Sequence, residues 1–323
     1  MPKTGANFPP AQLLVGDAKQ HNRGVAETLW QQRIRRAENL AIEHPFASQI
    51  LTFYIQVARF QQELYQRIQH ASAGNRPAGG AGLSPAVVRG EGQGKQRANH
   101  PISGQQDAGA INPGPPELPQ LVASFPAFLA LVEKQAPARL AQIARDLGRA
   151  PSDSWSELLN NFWSAPDQLS EQASDPSEFL ALAFLQPYAE FVRGRVPLQL
   201  QNYTYALCPF CSRKPVMGLL RPLGEGARRN LLCGFCLCEW EFRRIVCPGC
   251  DEKDHAKLPV YTAEEFPYIR VECCDACRTY IKSIDLSKNG LADPLVDELA
   301  SVPLDLWAQE HGYAKLHPNL LGM

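Results

Sequence analysis

Between Ala26 and Glu43 apolar residues recur with a helical period as far as His44-Pro45, where proline restricts the residue before it and can open a second helix. From Ser48 to His70 the apolar positions Ile50, Leu51, Tyr54, Val57, Leu64 and Ile68 form one buried stripe, so the two segments predict an antiparallel helix pair. Helical patterning returns over Phe125–Gln135, Ala138–Leu147 and Ser154–Trp163, with breaks at Pro137, Pro151 and Pro166. Asp175 as a cap, Pro176 in the first turn and Glu178 near the positive helix end then announce a helix over Phe179–Val192. Pro187 should kink it and Gly194 should end it. Farther along, Tyr280 to Asp285 alternates as a strand does, and Asp293-Pro294 opens a packed helical tail carrying Leu295, Leu299, Leu304 and Trp307.

One stretch breaks this patterning. Ala71 to Pro119 holds ten of the chain's 23 glycines and seven of its prolines, with no aromatic residue to seed a core, and predicts a disordered insertion. Gly90, Gly92, Gly94 and Lys95 echo a phosphate loop, but Gln96 stands where a magnesium-binding Ser or Thr belongs and no apolar strand precedes it. The organisation expected of the 323 residues is α+β. A helical domain over 1–70 and 120–195 is interrupted by 71–119, and a cysteine-rich region over 200–285 and a helical tail over 286–323 follow.

Hydrophobic content of 45%, charged content of 20% and a net charge of -1 fit an ordinary globular protein and suggest neither anionic polymers nor anionic membranes as partners. Met1 to Gln20 has no apolar core of signal-peptide length, and the apolar run Phe179–Leu185 falls far short of the ~18 residues a membrane span needs. A cytoplasmic protein without membrane insertion is expected.

All ten cysteines lie between Cys208 and Cys277, and eight of them share one spacing: Cys208/Cys211, Cys233/Cys236, Cys247/Cys250 and Cys274/Cys277. In a reducing compartment such pairs are metal ligands or redox dithiols rather than disulfides. A two-residue separation lets a tight turn aim both sulfurs at one ion, and two turns complete a tetrahedral tetrathiolate site. Cys208-Pro209-Phe210-Cys211 and Cys247-Pro248-Gly249-Cys250 each precede a second pair, after 21 and 23 residues, which makes two tandem modules. Consecutive pairing assigns Cys208, Cys211, Cys233 and Cys236 to one ion and Cys247, Cys250, Cys274 and Cys277 to another. A cross-braced arrangement closes two sites with the same eight residues. Cys238 and Cys273 stand outside the register as small buried residues, and His255 belongs to a charged surface loop.

Closed four-sulfur sites leave no position for activated water, so no catalytic residues are assigned and a binding protein is expected rather than an enzyme. Zinc ribbons that bind nucleic acid are the rival class, and charge argues against it. Gln201 to Asp285 carries 12 Lys and Arg against 11 Asp and Glu, and two dications among eight thiolates would make the region net negative. Arg228-Arg229 and Arg243-Arg244 are local exceptions that solvated faces explain.

Leu207-Cys208-Pro209-Phe210-Cys211, Leu232-Cys233-Gly234-Phe235-Cys236 with Trp240 and Arg244, and Cys247-Pro248-Gly249-Cys250 together resemble the bacterial formate dehydrogenase accessory protein FdhE family. So do Cys274-Asp275-Ala276-Cys277 with Tyr280 and Lys282, and the tail from Asp297-Glu298-Leu299-Ala300 through Leu304-Asp305-Leu306 to Gly312-Tyr313. Arg36 to Pro45 and Leu185-Gln186-Pro187-Tyr188 look like the family's helical half, whereas 71–119 departs from it. The resemblance implies rubredoxin-like iron sites, with zinc open on ligand type alone. It also implies a cytoplasmic maturation factor that acts on the catalytic subunit of respiratory formate dehydrogenase before twin-arginine export. Homo-oligomerisation stays open.

Overall fold

The computed structural model describes residues 28–74, 121–164, 176–198, 200–224 and 226–320. Thr28 begins the first helix with a reciprocal cap: its hydroxyl accepts from the Gln31 amide at 3.2 Å, and the Gln31 side chain accepts from the Thr28 amide at 2.8 Å. Helix α1 (Leu29–Glu43) buries Trp30, Arg33, Ala37 and Leu40 on one face. A single 3₁₀ turn at Pro45–Ala47 leads into α2 (Ser48–Gly74), so Ala71 to Gly74 extend a helix rather than open the expected insertion. The rest of that insertion and the Asp175 cap lie outside the described residues. Helices α3 (Phe125–Gln135), α4 (Ala138–Gly148), α5 (Ser152–Ser164) and α6 (Pro176–Arg195) complete the helical half.

α6 is the hub, packing against α2, α3, α4 and α5. Its residues Phe179 to Gln186 are buried without interruption, which accounts for the chain's most continuous apolar run. Phe184 meets Phe125 at 4.8 Å and Phe128 at 5.7 Å between ring centroids, and Phe60 meets Phe128 at 5.2 Å. Pro187 lies inside the helix, and Gly194 does not end it, because the helix continues to Arg195.

Among the described residues seven strands form one sheet. β1 (Pro215–Leu223), β2 (Gly226–Cys233) and β3 (Glu239–Glu241) pair antiparallel, as do β4 (Val260–Thr262), β5 (Ile269–Cys274) and β6 (Thr279–Asp285). Each triplet is one cysteine module, and parallel pairing of β1 with β6 joins them in the order β3-β2-β1-β6-β5-β4. Before the start of β1, on the same edge of β6, lies β7 (Ala314–Lys315). Asp293 caps α7 (Pro294–Ala300), every residue from Leu295 to Ala300 is buried, and α8 (Val302–Glu310) follows. The tail is therefore packed, with α7 lying against α1 and α2 as well as β1. Among the described residues no helix is long and apolar enough to cross a membrane.

Candidate metal centres

Four tight turns present the eight cysteines, and all four solve the same local problem alike. The residue after each second cysteine adopts a left-handed backbone: Ser212 at φ 60°, Leu237 at 55°, Asp251 at 62° and Arg278 at 56°. That conformation folds the chain back, so that Ser212, Asp251 and Arg278 donate amides to the carbonyls of Cys208, Cys247 and Cys274 at 2.8–3.0 Å. The amides of Phe235 and Gly249 donate to the sulfurs of Cys233 and Cys247, 3.4 and 3.3 Å away.

The turns converge in consecutive pairs. Cys208, Cys211, Cys233 and Cys236 form one set and Cys247, Cys250, Cys274 and Cys277 the other, with all ligand atoms of a set within 4.8 Å of one another. Sulfur separations are 3.4 Å for Cys208–Cys236 and for Cys211–Cys233, 3.7 Å for Cys247–Cys277 and 3.6 Å for Cys250–Cys274. A tetrahedral ion with metal–sulfur bonds of about 2.3 Å needs sulfurs about 3.8 Å apart, so each set fits one metal ion. No disulfide competes, because all ten cysteines are free.

Crowding thiols this closely splits their acidities. Burial pushes Cys208 and Cys236 well above the usual thiol range and lifts Cys250 to about 11. Hydrogen bonding from Cys247 brings Cys277 down to about 4. A cation replacing the shared protons relieves the conflict, since it favours the thiolate at every sulfur.

The surroundings of the two sets differ. Against the first, the Arg213 guanidinium lies between Phe162 and Phe235, 4.5 and 4.2 Å from the ring centroids, and Gln186 donates to the Gly234 carbonyl at 2.8 Å. α5 and α6 thus back the first set, and its residues share one apolar core with the helical half. Beside the second set opens a cavity of about 390 Å³, lined by Cys247 and Cys274 together with Arg229, Arg244, Ile245 and Ile281. Cys238 and Cys273 are buried as expected, and His255 is exposed.

Arg229 departs from the solvated face expected of it. Its side chain is 2% exposed, pairs with Glu272 at 2.6 Å and donates to the carbonyls of Arg243 and Val246. Arg213 and Arg229 are the residues around the centres that patterning misses, because an isolated arginine carries no periodic signal of burial.

Comparison with known proteins places this geometry. Residues 207–244 match the family model described as FdhE, central domain, and 245–321 match FdhE, C-terminal domain; the join falls between the two cysteine modules. The crystal structure of the FdhE protein from Pseudomonas aeruginosa superposes with a TM-score of 0.60 at 26% identity, covering 91% of this chain and 95% of that one. Residues 207–321 match the FdhE family's central and C-terminal domains, and the chain resembles that FdhE structure over most of its length. Among curated relatives, the Protein FdhE homolog of Aquifex aeolicus is 36% identical over 152 residues, 46% of this chain and 53% of the relative. That of Pseudomonas aeruginosa is 36% identical over 127 residues, 38% of this chain and 41% of the relative. The chain thus spans about half the length of the curated FdhE relatives it matches.

Proposed function

We propose that this chain is a cytoplasmic accessory factor that binds the catalytic subunit of a respiratory formate dehydrogenase and is needed for that enzyme to become active. It acts as a binding and maturation factor, not as an enzyme. The observation that carries the reading is a pair of four-sulfur sets, the first of them backed by helices, in a chain whose residues 207–321 match the FdhE domain models. On this reading Cys208, Cys211, Cys233 and Cys236 ligate one ion, and Cys247, Cys250, Cys274 and Cys277 ligate the second. Iron in such sites supplies one-electron chemistry, whereas zinc supplies structure alone. The protein's own part is to aim the sulfurs through the left-handed turns and to present the partner with a surface held rigid by the ions.

Affinity capture from formate-grown cells tests the partner. The catalytic subunit of formate dehydrogenase should be retained by the full chain, and Cys233→Ala or Cys274→Ala should abolish retention while Cys238→Ala leaves it. Retention of nucleic acid instead, with steep salt dependence, would establish the zinc-ribbon alternative. Elemental analysis of anaerobically purified protein should give two ions per chain. Full metal content in the Cys208→Ser, Cys250→Ser double variant would refute the ligand assignment.

A further inference from the structure

The two sets share their chemistry but not their access to solvent. In the first, Cys208, Cys233 and Cys236 are each 0% exposed, and α5 and α6 stand behind them. Cys211 is the only partly exposed member of that set. In the second, Cys277 is partly exposed in the turn between β5 and β6, and Cys250 is exposed on a connection whose neighbouring residues Arg243, Arg244, Ile245 and Asp251 are themselves exposed. The opposite side of this set is not packed solid either, since Cys247 and Cys274 line the cavity. Cys277 is anchored by the Thr279 hydroxyl at 3.1 Å, and Cys274 is fixed at the end of β5 by its pairing with Thr279. Cys250 is thus the sulfur that an external ligand reaches first.

Resting on the reading of these cysteines as ligands, we propose that the second centre is an exchange site at which an external thiol takes the place of Cys250. As the incoming sulfur occupies the ligand position, its proton passes to the Cys250 sulfur. One metal–sulfur bond forms, one breaks, and no electron moves. Tetrahedral thiolate ions accept a fifth ligand transiently, so the exchange needs access rather than prior dissociation. The first centre, closed by the helical half, keeps its ion. The division assigns a structural role to one centre and metal delivery or uptake to the other, with a low-molecular-weight thiol or a cysteine of a protein partner as the incoming group.

Zinc-loaded full-length protein, mixed with a colorimetric zinc chelator and increasing glutathione, tests this. Release should occur in two phases of one ion each, differing by about tenfold or more in rate, with only the fast phase rising with thiol concentration. Alkylation with iodoacetamide after the fast phase should label Cys247, Cys250, Cys274 and Cys277 and spare Cys208, Cys211, Cys233 and Cys236. In Cys250→Ser the thiol-dependent fast phase should be lost while the slow phase is unchanged. Replacing glutathione with a single-cysteine peptide separates the sources: the faster of the two thiols identifies the incoming group. Equal rates for both ions, no thiol dependence, or labelling of the first set before the second would overturn the proposal even if the variant failed to fold. Protein that binds no metal would instead defeat the ligand reading on which it rests.

Discussion

Arg213 follows the first cysteine turn by two residues, and its buried guanidinium is held by two phenyl faces and the Phe162 carbonyl. Arg213→Met keeps the volume but removes the cation–π contacts and leaves that carbonyl unpaired, an expected loss of about 2–3 kcal/mol in chemical denaturation. Arg213→Lys should recover part of this, because an ammonium restores the charge but not the flat stacking. Lys282 makes a stronger case. It is fully buried and reaches Glu298 at 3.1 Å and Asp305 at 2.7 Å, with Lys315 pairing to the same two carboxylates. Lys282→Met alone leaves buried acids short of a partner and should cost about 3–5 kcal/mol, whereas Lys282→Met with Asp305→Leu should cost much less. Denaturation midpoints of the three variants measure the difference. At this scale the sequence was uneven. Eight cysteines announced themselves because one two-residue spacing recurs four times, and the alternation of Tyr280, Lys282 and Ile284 already placed a lysine on the side of β6 that carries Tyr280. Its acidic partners come from two successive helices, 16 and 23 positions away, which no local pattern connects.

Helices were legible as elements because their apolar stripes are local; α3 matches its expected bounds, and α4 and α5 differ by one or two residues at their ends. The sheet was not. Only one strand declared itself by alternation, since β1 is buried over its first six residues and β4 is exposed over all three, so neither alternates. The parallel join of β1 to β6 depends on a close approach that sequence alone does not reveal: Gly218 stands opposite Ser283, and a Cβ at position 218 would collide with the Ser283 hydroxyl. Gly218→Val should therefore destabilise the protein by about 1–3 kcal/mol through overpacking. Gly218→Ala combined with Ser283→Gly should restore most of the loss, and thermal melts of the two variants test whether the clash is the cause.

At the scale of the molecule, the helical half and the metal region are tied together by contacts that span the chain. Arg36 on α1 grips Asp297 on α7 through two nitrogens at 3.0 and 2.6 Å, and Tyr268 from the second module donates to the same carboxylate at 2.8 Å. On the other flank, Gln61 on α2 donates to Gln186, which in turn donates to Gly234 between the cysteines of the first module. The helices and the first module share one apolar core, while the second module and the tail pack around another, so these ties decide whether unfolding is a single event. Asp297 is fully buried, and removing Arg36 leaves its charge with only the Tyr268 hydroxyl and the Asp293 amide. Arg36→Leu should accordingly cost about 3–5 kcal/mol, and the damage should fall on the junction rather than on either half. Urea unfolding followed by far-ultraviolet circular dichroism for the helices, and by thiolate–metal absorbance for the centres, reads this directly. The two signals should coincide in the wild type and separate in Arg36→Leu, with Arg36→Leu/Asp297→Leu regaining much of the coincidence. Coincident transitions in the single variant would show that the α6 contacts with the first centre suffice to couple the halves.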